Sequence, residues 1–334
     1  MEALPIKYRP TEFKDVCSQS SVIKILEKQV ETGNFKNCYL FSGASGCGKT
    51  TIARILANKI NKGLGSPIEI DAASNNGVDS VRQIIESADQ RALDSEYKIY
   101  IIDECHMLTT QAWNALLKTI EETPKYTIFM FCTTEYHKVP ITIQNRCQQY
   151  FLTRVPQEEI EKRLYYICEN ENLKAHPDGI THIAKLSLGS MRQAIAYLEK
   201  CRDYSDNITL ENVLTVLGDF SYDTYFALVN SIIDQDRKKT VEIIEDLYSK
   251  GNDLKLFLDM FIGFVLDLCK FTIFKSYDII QIPQSYKNQI EYTVNVENAS
   301  KYYNHLTDLL LNTKVKLKGD SDIKTSMEIA LMNM

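Results

Sequence analysis

The chain has 334 residues, more than one compact core ordinarily accommodates, so two or three domains are expected. With 44% hydrophobic and 25% charged residues it has the make-up of a folded globular protein, which excludes a disordered or fibrous chain. A formal charge of −6 and a pI near 5.5 exclude a surface coated in basic residues and leave any nucleic-acid contact to a local patch.

No charged-then-apolar leader opens the chain, and its longest apolar run, Phe257 to Phe271, is interrupted by Asp259 and Asp267. A cytoplasmic protein without a membrane span is therefore expected. Nine cysteines are scattered without a close CxxC pair, which reads as buried thiols in a reducing compartment; Cys132, inside Ile128-Phe129-Met130-Phe131-Cys132, acts as a small hydrophobe.

From the start to about residue 152, short β-branched or aromatic runs alternate with helical patterns, the signature of a parallel sheet flanked by helices. The first strand, Cys38 to Ser42, leads into Gly43-Ala44-Ser45-Gly46-Cys47-Gly48-Lys49-Thr50, a complete G-x-x-x-x-G-K-[ST] phosphate loop. Its glycines let backbone N–H groups turn toward phosphates, Lys49 offers a point charge, and Thr50 offers a hydroxyl to Mg²⁺. The helix Thr51 to Ile60 then presents its N-terminus to the same anion. A strand follows at Pro67 to Asp71, and another at Lys98 to Ile102 ends in Asp103-Glu104. Two carboxylates at a strand's end divide the labour: Asp103 suits the Mg²⁺ shell, and Glu104 suits the water that attacks a γ-phosphate. The neighbouring His106 is either a site residue or a structural histidine. Trp113, Leu116, Leu117 and Ile120 fall at helical spacing on Gln111 to Glu122, and strands follow at Tyr126 to Cys132 and Gln148 to Leu152. After Pro156 the pattern is helical only, with Leu164, Ile167 and Cys168 in one segment and Ile180, Ile183, Ala184 and Leu186 in the next. From about Asp206 a second helical region begins, in which Phe226, Leu228, Val229, Leu256, Phe257, Phe261 and Phe264 are expected in the core.

The order of motifs resembles the clamp-loader branch of the AAA+ ATPases, and among them the bacterial DNA polymerase III gamma/tau subunits. The resemblance is carried by Lys7-Tyr8-Arg9-Pro10 with Phe13-Lys14-Asp15-Val16, by the phosphate loop, and by Ile68-Glu69-Ile70-Asp71-Ala72-Ala73-Ser74-Asn75-Asn76-Gly77-Val78-Asp79. It continues through Asp103 to Leu108, Asn114 to Glu122, Thr133-Thr134-Glu135, Asn145-Arg146-Cys147 and Gly189-Ser190-Met191-Arg192-Gln193-Ala194. It covers residues 1 to about 203 well; beyond that only a helical segment of suitable length matches.

That resemblance implies an α/β P-loop AAA+ domain (1–155), a small helical lid (156–205) and an all-α C-terminal collar (206–334). It implies ATP and Mg²⁺ as ligands, with Tyr8 and Arg9 by the adenine, Gly43 to Thr51 around the phosphates, and Thr50 and Asp103 on the metal. Thr134, with Thr133 beside it, becomes the sensor of the γ-phosphate. Arg146 becomes an arginine finger serving the adjacent subunit's site, and Arg192 a second sensor on the lid. The usual Ser-Arg-Cys has Asn145 in place of serine. Asn76 and Arg82 become candidates for DNA phosphates, although the same polar residues suit a turn and helix cap. Bacterial relatives carry a four-cysteine zinc module after the phosphate-loop helix; here Asn61 to Ser66 stands in its place, and no zinc is expected. The chain ends at Met334 without the long extension of the longer bacterial form, which suits a minimal version such as a phage or plasmid replication system would encode. The implied partners are a sliding clamp, further clamp-loader subunits in a ring, and primer-template DNA. Two other functions share these motifs: another AAA+ DNA machine, such as a helicase loader or branch-migration motor, and a scaffold subunit that does not hydrolyse ATP.

Overall fold

In a computed structural model of the chain, residues 2–218, 220–277, 279–316 and 322–332 are described. The chain divides into two compact units, residues 1–209 and 210–334.

The first unit opens with α1 (Leu4–Lys7) and α2 (Ser20–Thr32), followed by β1 (Cys38–Gly43), α3 (Lys49–Ile60), β2 (Ile68–Asp71), α4 (Val78–Ala88) and β3 (Lys98–Asp103). It continues through α5 (Thr110–Glu121), β4 (Thr127–Thr133), α6 (Ile141–Gln144) and β5 (Gln148–Leu152). These five strands form one parallel sheet in the order β2-β3-β4-β1-β5. The central strands are covered on both faces, so they read as unbroken apolar runs. Alternation along each strand divides the core in two. Tyr39, Phe41, Ile99, Ile101, Ile128 and Met130 pack with α2 and α3, while Leu40, Tyr100, Ile102, Phe129 and Phe131 pack with α4 and α5. Trp113 on α5 lies against Phe131 with ring centroids 5.4 Å apart.

Every strand expected from the sequence is present within one residue at its ends, and the phosphate-loop helix starts at Lys49 rather than Thr51. The chain after Pro156 is not purely helical. Between α7 (Gln157–Asn170) and α8 (Pro177–Leu186) a two-residue strand β6 (Lys174–Ala175) pairs with β7 (Asn207–Ile208), which follows α9 (Met191–Tyr204). Runs this short carry no period that a sequence pattern can reveal.

The second unit is helical: α10 (Leu210–Leu217), α11 (Tyr222–Ile233), α12 (Arg237–Ser249), α13 (Leu254–Phe274), α14 (Lys287–Thr293), α15 (Ala299–Lys316) and α16 (Ile323–Met332). They enclose one core around Tyr225, Phe226, Phe257, Phe261, Phe264 and Tyr303. Leu256, expected in that core, is exposed, because the buried stripe of α13 runs through Leu254, Phe257, Leu258, Phe261, Phe264, Val265 and Leu268 and position 256 lies off it. No helix among the described residues is long and apolar enough to cross a membrane.

Candidate functional site

The strand order sets the ends of β3, β4 and β1 side by side, and the chain leaves each end carrying polar residues. A crevice outside the carboxyl ends of parallel strands is where open α/β sheets place ligands. Gly43, Gly46 and Gly48 have φ of +156°, +72° and +106°. Space as well as conformation demands glycine at two of them. A Cβ on Gly43 would stand 2.5 Å from the Leu152 carbonyl oxygen, and one on Gly46 would stand 2.0 Å from the Ser190 hydroxyl. The Met191 N–H donates to the Gly46 carbonyl at 3.2 Å, so the start of α9 rests directly on the loop.

Lys49 is 6% exposed, and its ammonium donates to the Gly43 and Ala44 carbonyls at 3.0 and 3.1 Å. Its partners are neutral backbone oxygens, which leave its charge for an anion. The Thr50 hydroxyl donates to one Asp103 oxygen at 2.8 Å, and the other accepts the Glu104 N–H at 3.0 Å. A hydroxyl and a carboxylate at this spacing are the hard oxygen donors that Mg²⁺ prefers. Glu104 holds φ +46° and ψ +42°, a left-handed conformation that costs a non-glycine residue energy and recurs at functional sites. Its side chain is fixed from the residue that follows β4: the Thr134 hydroxyl donates to it at 2.9 Å and the Thr134 N–H at 3.3 Å, and His106 Nδ1 lies 3.3 Å away. His106 bridges further, to the Thr133 hydroxyl at 3.1 Å and to Glu135 at 3.4 Å. It thus touches Glu104 as well as the strand behind it.

One cleft is lined by Tyr8, Arg9, Ser45 to Thr51, Asp103, Glu104, Arg163 and Arg192, with Pro10, Val16, Cys17, Val155 and Ile195 as apolar surface. Burial, then the positive charges of Arg54 and Arg192, depress the Arg9 guanidinium below its ordinary pKa, with Glu69 and Asp103 opposing. This concentration of cationic charge beside an apolar wall suits a polyphosphate joined to a flat base. The chain's opening is tied to the helices that follow the sheet. Tyr8 donates its phenol to Glu171, Arg163 donates to the Tyr8 carbonyl at 2.9 Å, and the Leu4 N–H donates to Glu199 at 2.8 Å. Burial and then the Glu171 carboxylate push the Tyr8 phenol up to about 12.

The other sequence candidates stand elsewhere. Arg146 lies outside this cleft; it pairs with Glu121 and donates to the Thr142 carbonyl at 2.7 Å, beside a second cavity with Asn145 and Cys147. Arg82 is exposed and pairs with Asp79 at 3.2 Å. The Asn76 carbonyl accepts from the Thr109 N–H, and α4 begins after Gly77 without a side-chain cap. Sequence reading missed Arg163, Glu171 and the close seat of Ser190 on Gly46. Their partners are distant in the chain, so no local spacing announces them.

Comparisons with known proteins identify the family. The profile of the DNA polymerase III delta subunit matches residues 66–156, and that of DNA polymerase III subunits gamma and tau domain III matches residues 208–334. The DNA polymerase III subunit gamma of Buchnera aphidicola is 30% identical over 100% of this chain and 98% of its own. The gamma/tau subunit of Mycoplasma genitalium is 33% identical over 87% of this chain and 52% of its own, so the chain spans about half the length of that relative. Among solved structures, the Thermotoga maritima RuvB Holliday junction branch migration motor superposes with a TM-score of 0.53 at 20% identity, covering 68% of this chain and 79% of that one. That likeness establishes the AAA+ fold. With the gamma relative matched along nearly its whole length, the chain belongs to the DNA polymerase III gamma/tau subunit family.

Proposed function

We propose that this chain is an ATP-hydrolysing subunit of a clamp loader, opening a sliding clamp and leaving it closed on primer-template DNA. The observation that carries the reading is the division of the site: Lys49, Thr50, Asp103, Glu104 and Arg192 share one cleft, and Arg146 stands outside it. A guanidinium that cannot serve its own cleft is available to a neighbour's.

In this reading Lys49 and the loop amides bind the phosphates, and the apolar wall with Tyr8 and Arg9 receives the adenine. Thr50 and Asp103 hold Mg²⁺, which when bound neutralises charge on the phosphate oxygens. Glu104 takes a proton from the attacking water, and Thr134 controls where the Glu104 carboxylate points. Arg192, on the helix that rests on Gly46, links the phosphates to lid position, and Arg146 stabilises charge in the adjacent subunit's cleft. Nucleotide binding then joins subunits, and hydrolysis separates them. We divide the chain into an ATPase domain (1–155), a lid (156–205) and a collar (206–334) that holds a ring together. The partners are the clamp, other loader subunits and primed DNA, touched through Asn76 and Arg82, in the cytoplasm of a bacterial cell or one infected by phage.

The test is steady-state ATP hydrolysis by the purified chain with candidate partner subunits, comparing no addition, primed DNA alone, and primed DNA with clamp. Joint stimulation by DNA and clamp is expected. Stimulation by DNA that the clamp does not change would replace the reading with another DNA motor, and binding without turnover would replace it with a scaffold subunit.

A further inference from the structure

All the cysteines are free thiols, and all but Cys17 are buried. Two of them meet. Cys38 opens β1, Cys147 directly precedes β5, and the register of these parallel neighbours, Tyr39 opposite Gln148, sets the two cysteines side by side. Neighbouring strands stand about 4.7–4.9 Å apart, within the roughly 4.4–6.8 Å between Cα atoms that a disulfide spans. Both side chains join the same apolar cluster as Leu40, Phe129 and Phe131. Both also line the cavity beside Arg146, which gives a small solute a route to them. Cys105 and Cys132, by contrast, have no exposed surface and line neither that cavity nor the phosphate cleft.

We propose that Cys38 and Cys147 form a peroxide-sensitive dithiol whose disulfide fastens the segment carrying Arg146 to the sheet. The neighbouring Cys147 thiol, against the effect of burial and with help from the Thr123 hydroxyl 3.9 Å away, holds the Cys38 thiol below its ordinary pKa and so favours its thiolate. The thiolate is the attacking form. Cys38 attacks a peroxide oxygen, the O–O bond breaks, and hydroxide leaves to give a sulfenic acid at Cys38. Cys147 then attacks that sulfur, the S–S bond forms, and the sulfenic oxygen leaves as water. Two thiols are oxidised by two electrons and one hydroperoxide is reduced to two hydroxyl products. Because Cys147 follows Arg146 directly, the bond restrains the guanidinium's approach to a neighbouring subunit. This consequence rests on the reading of Arg146 as a group that acts across subunits. Disulfides in reducing compartments are characteristically transient and sensing, and reduction restores this one.

The experiment treats the full chain with graded hydrogen peroxide, alkylates the remaining thiols, and maps tryptic peptides. The expected product joins residues 37–49 to 147–154 with a mass loss of about 2 Da, with fragment ions placing the link on Cys38 rather than Cys47. It disappears on thiol reduction and is absent from Cys38→Ala. A link through Cys47, or none at peroxide levels that oxidise Cys17, overturns the proposal, and neither result depends on a variant folding. In the assembled complex, oxidation should lower ATP turnover severalfold, reversibly, and leave Cys38→Ala insensitive. If the link forms and turnover is unchanged, the restraint on Arg146 is refuted. If the reduced assembly has no turnover, the clamp-loader reading fails while the peptide map still decides the thiol pair.

Discussion

Gly46→Ala should destabilise the first unit, and by an amount the local geometry supplies. Placing alanine at φ +72° costs about 1–2 kcal/mol for the left-handed backbone. The added methyl would also stand 2.0 Å from the Ser190 hydroxyl, which accepts the Gln193 N–H at 3.3 Å and caps α9. Displacing that cap costs a further ~1 kcal/mol, for about 2–3 kcal/mol in all. For a unit of this size the loss corresponds to a fall in Tm of about 5–10 °C. Trp113, the chain's single tryptophan, is buried in the first unit and reports its unfolding by fluorescence in denaturant. Ser190→Gly should itself cost only a few tenths of a kcal/mol and should remove the close contact, so the alanine penalty in that background shrinks by about 1 kcal/mol. An equal penalty in both backgrounds would refute the argument that Gly46 is required by the seat of α9 on the loop.

Glu104→Gln should retain nucleotide binding, measured by a fluorescent analogue, and lose turnover by about 10²–10⁴-fold, the usual worth of a positioned proton acceptor; unchanged turnover would remove Glu104 from that role. Asp103→Ala should raise the magnesium concentration needed for half-maximal turnover at least tenfold, read from a metal titration, because Thr50 then loses its carboxylate partner. Lys49→Ala should abolish nucleotide binding by calorimetry while leaving the Trp113 unfolding transition in place, since its ammonium bonds only to two loop carbonyls. Arg146→Ala should leave the isolated chain's nucleotide affinity intact and lower turnover only in assemblies; if mixing it with Lys49→Ala protein never restores a shared site at any ratio, its action across subunits is refuted.

The parts of the site legible in the sequence are those whose geometry is local. The spacing of Gly43, Gly48, Lys49 and Thr50 dictates a strand-to-helix turn lined with amides, and an apolar run ending in Asp103-Glu104 dictates two acids at a strand's edge. What the pattern could not give is the order of strands, because β4 inserts between β1 and β3 through tertiary packing, and only that insertion brings Thr134 to Glu104. Arg163 lies on α7 and Glu171 caps its end, where charged residues already abound, so nothing marks them out until Tyr8 is seen against them. The exposed Leu256 shows the same limit in an apolar helix, where the buried stripe is chosen by neighbours rather than by composition.

The tether of the opening residues to the helices beyond the sheet has a consequence for synthesis. Leu4 bonds to Glu199 across 195 residues of chain, and Tyr8 to Glu171 across 163. A ribosome adding about 5–20 residues per second needs roughly 10–40 s to make that span. During that interval the phosphate loop and its sheet can assemble, while Leu4 and Tyr8 lack the partners they bond to. The first residues made are therefore among the last to find their place, and the wall of the cleft that Tyr8 lines is completed only after α9 has emerged.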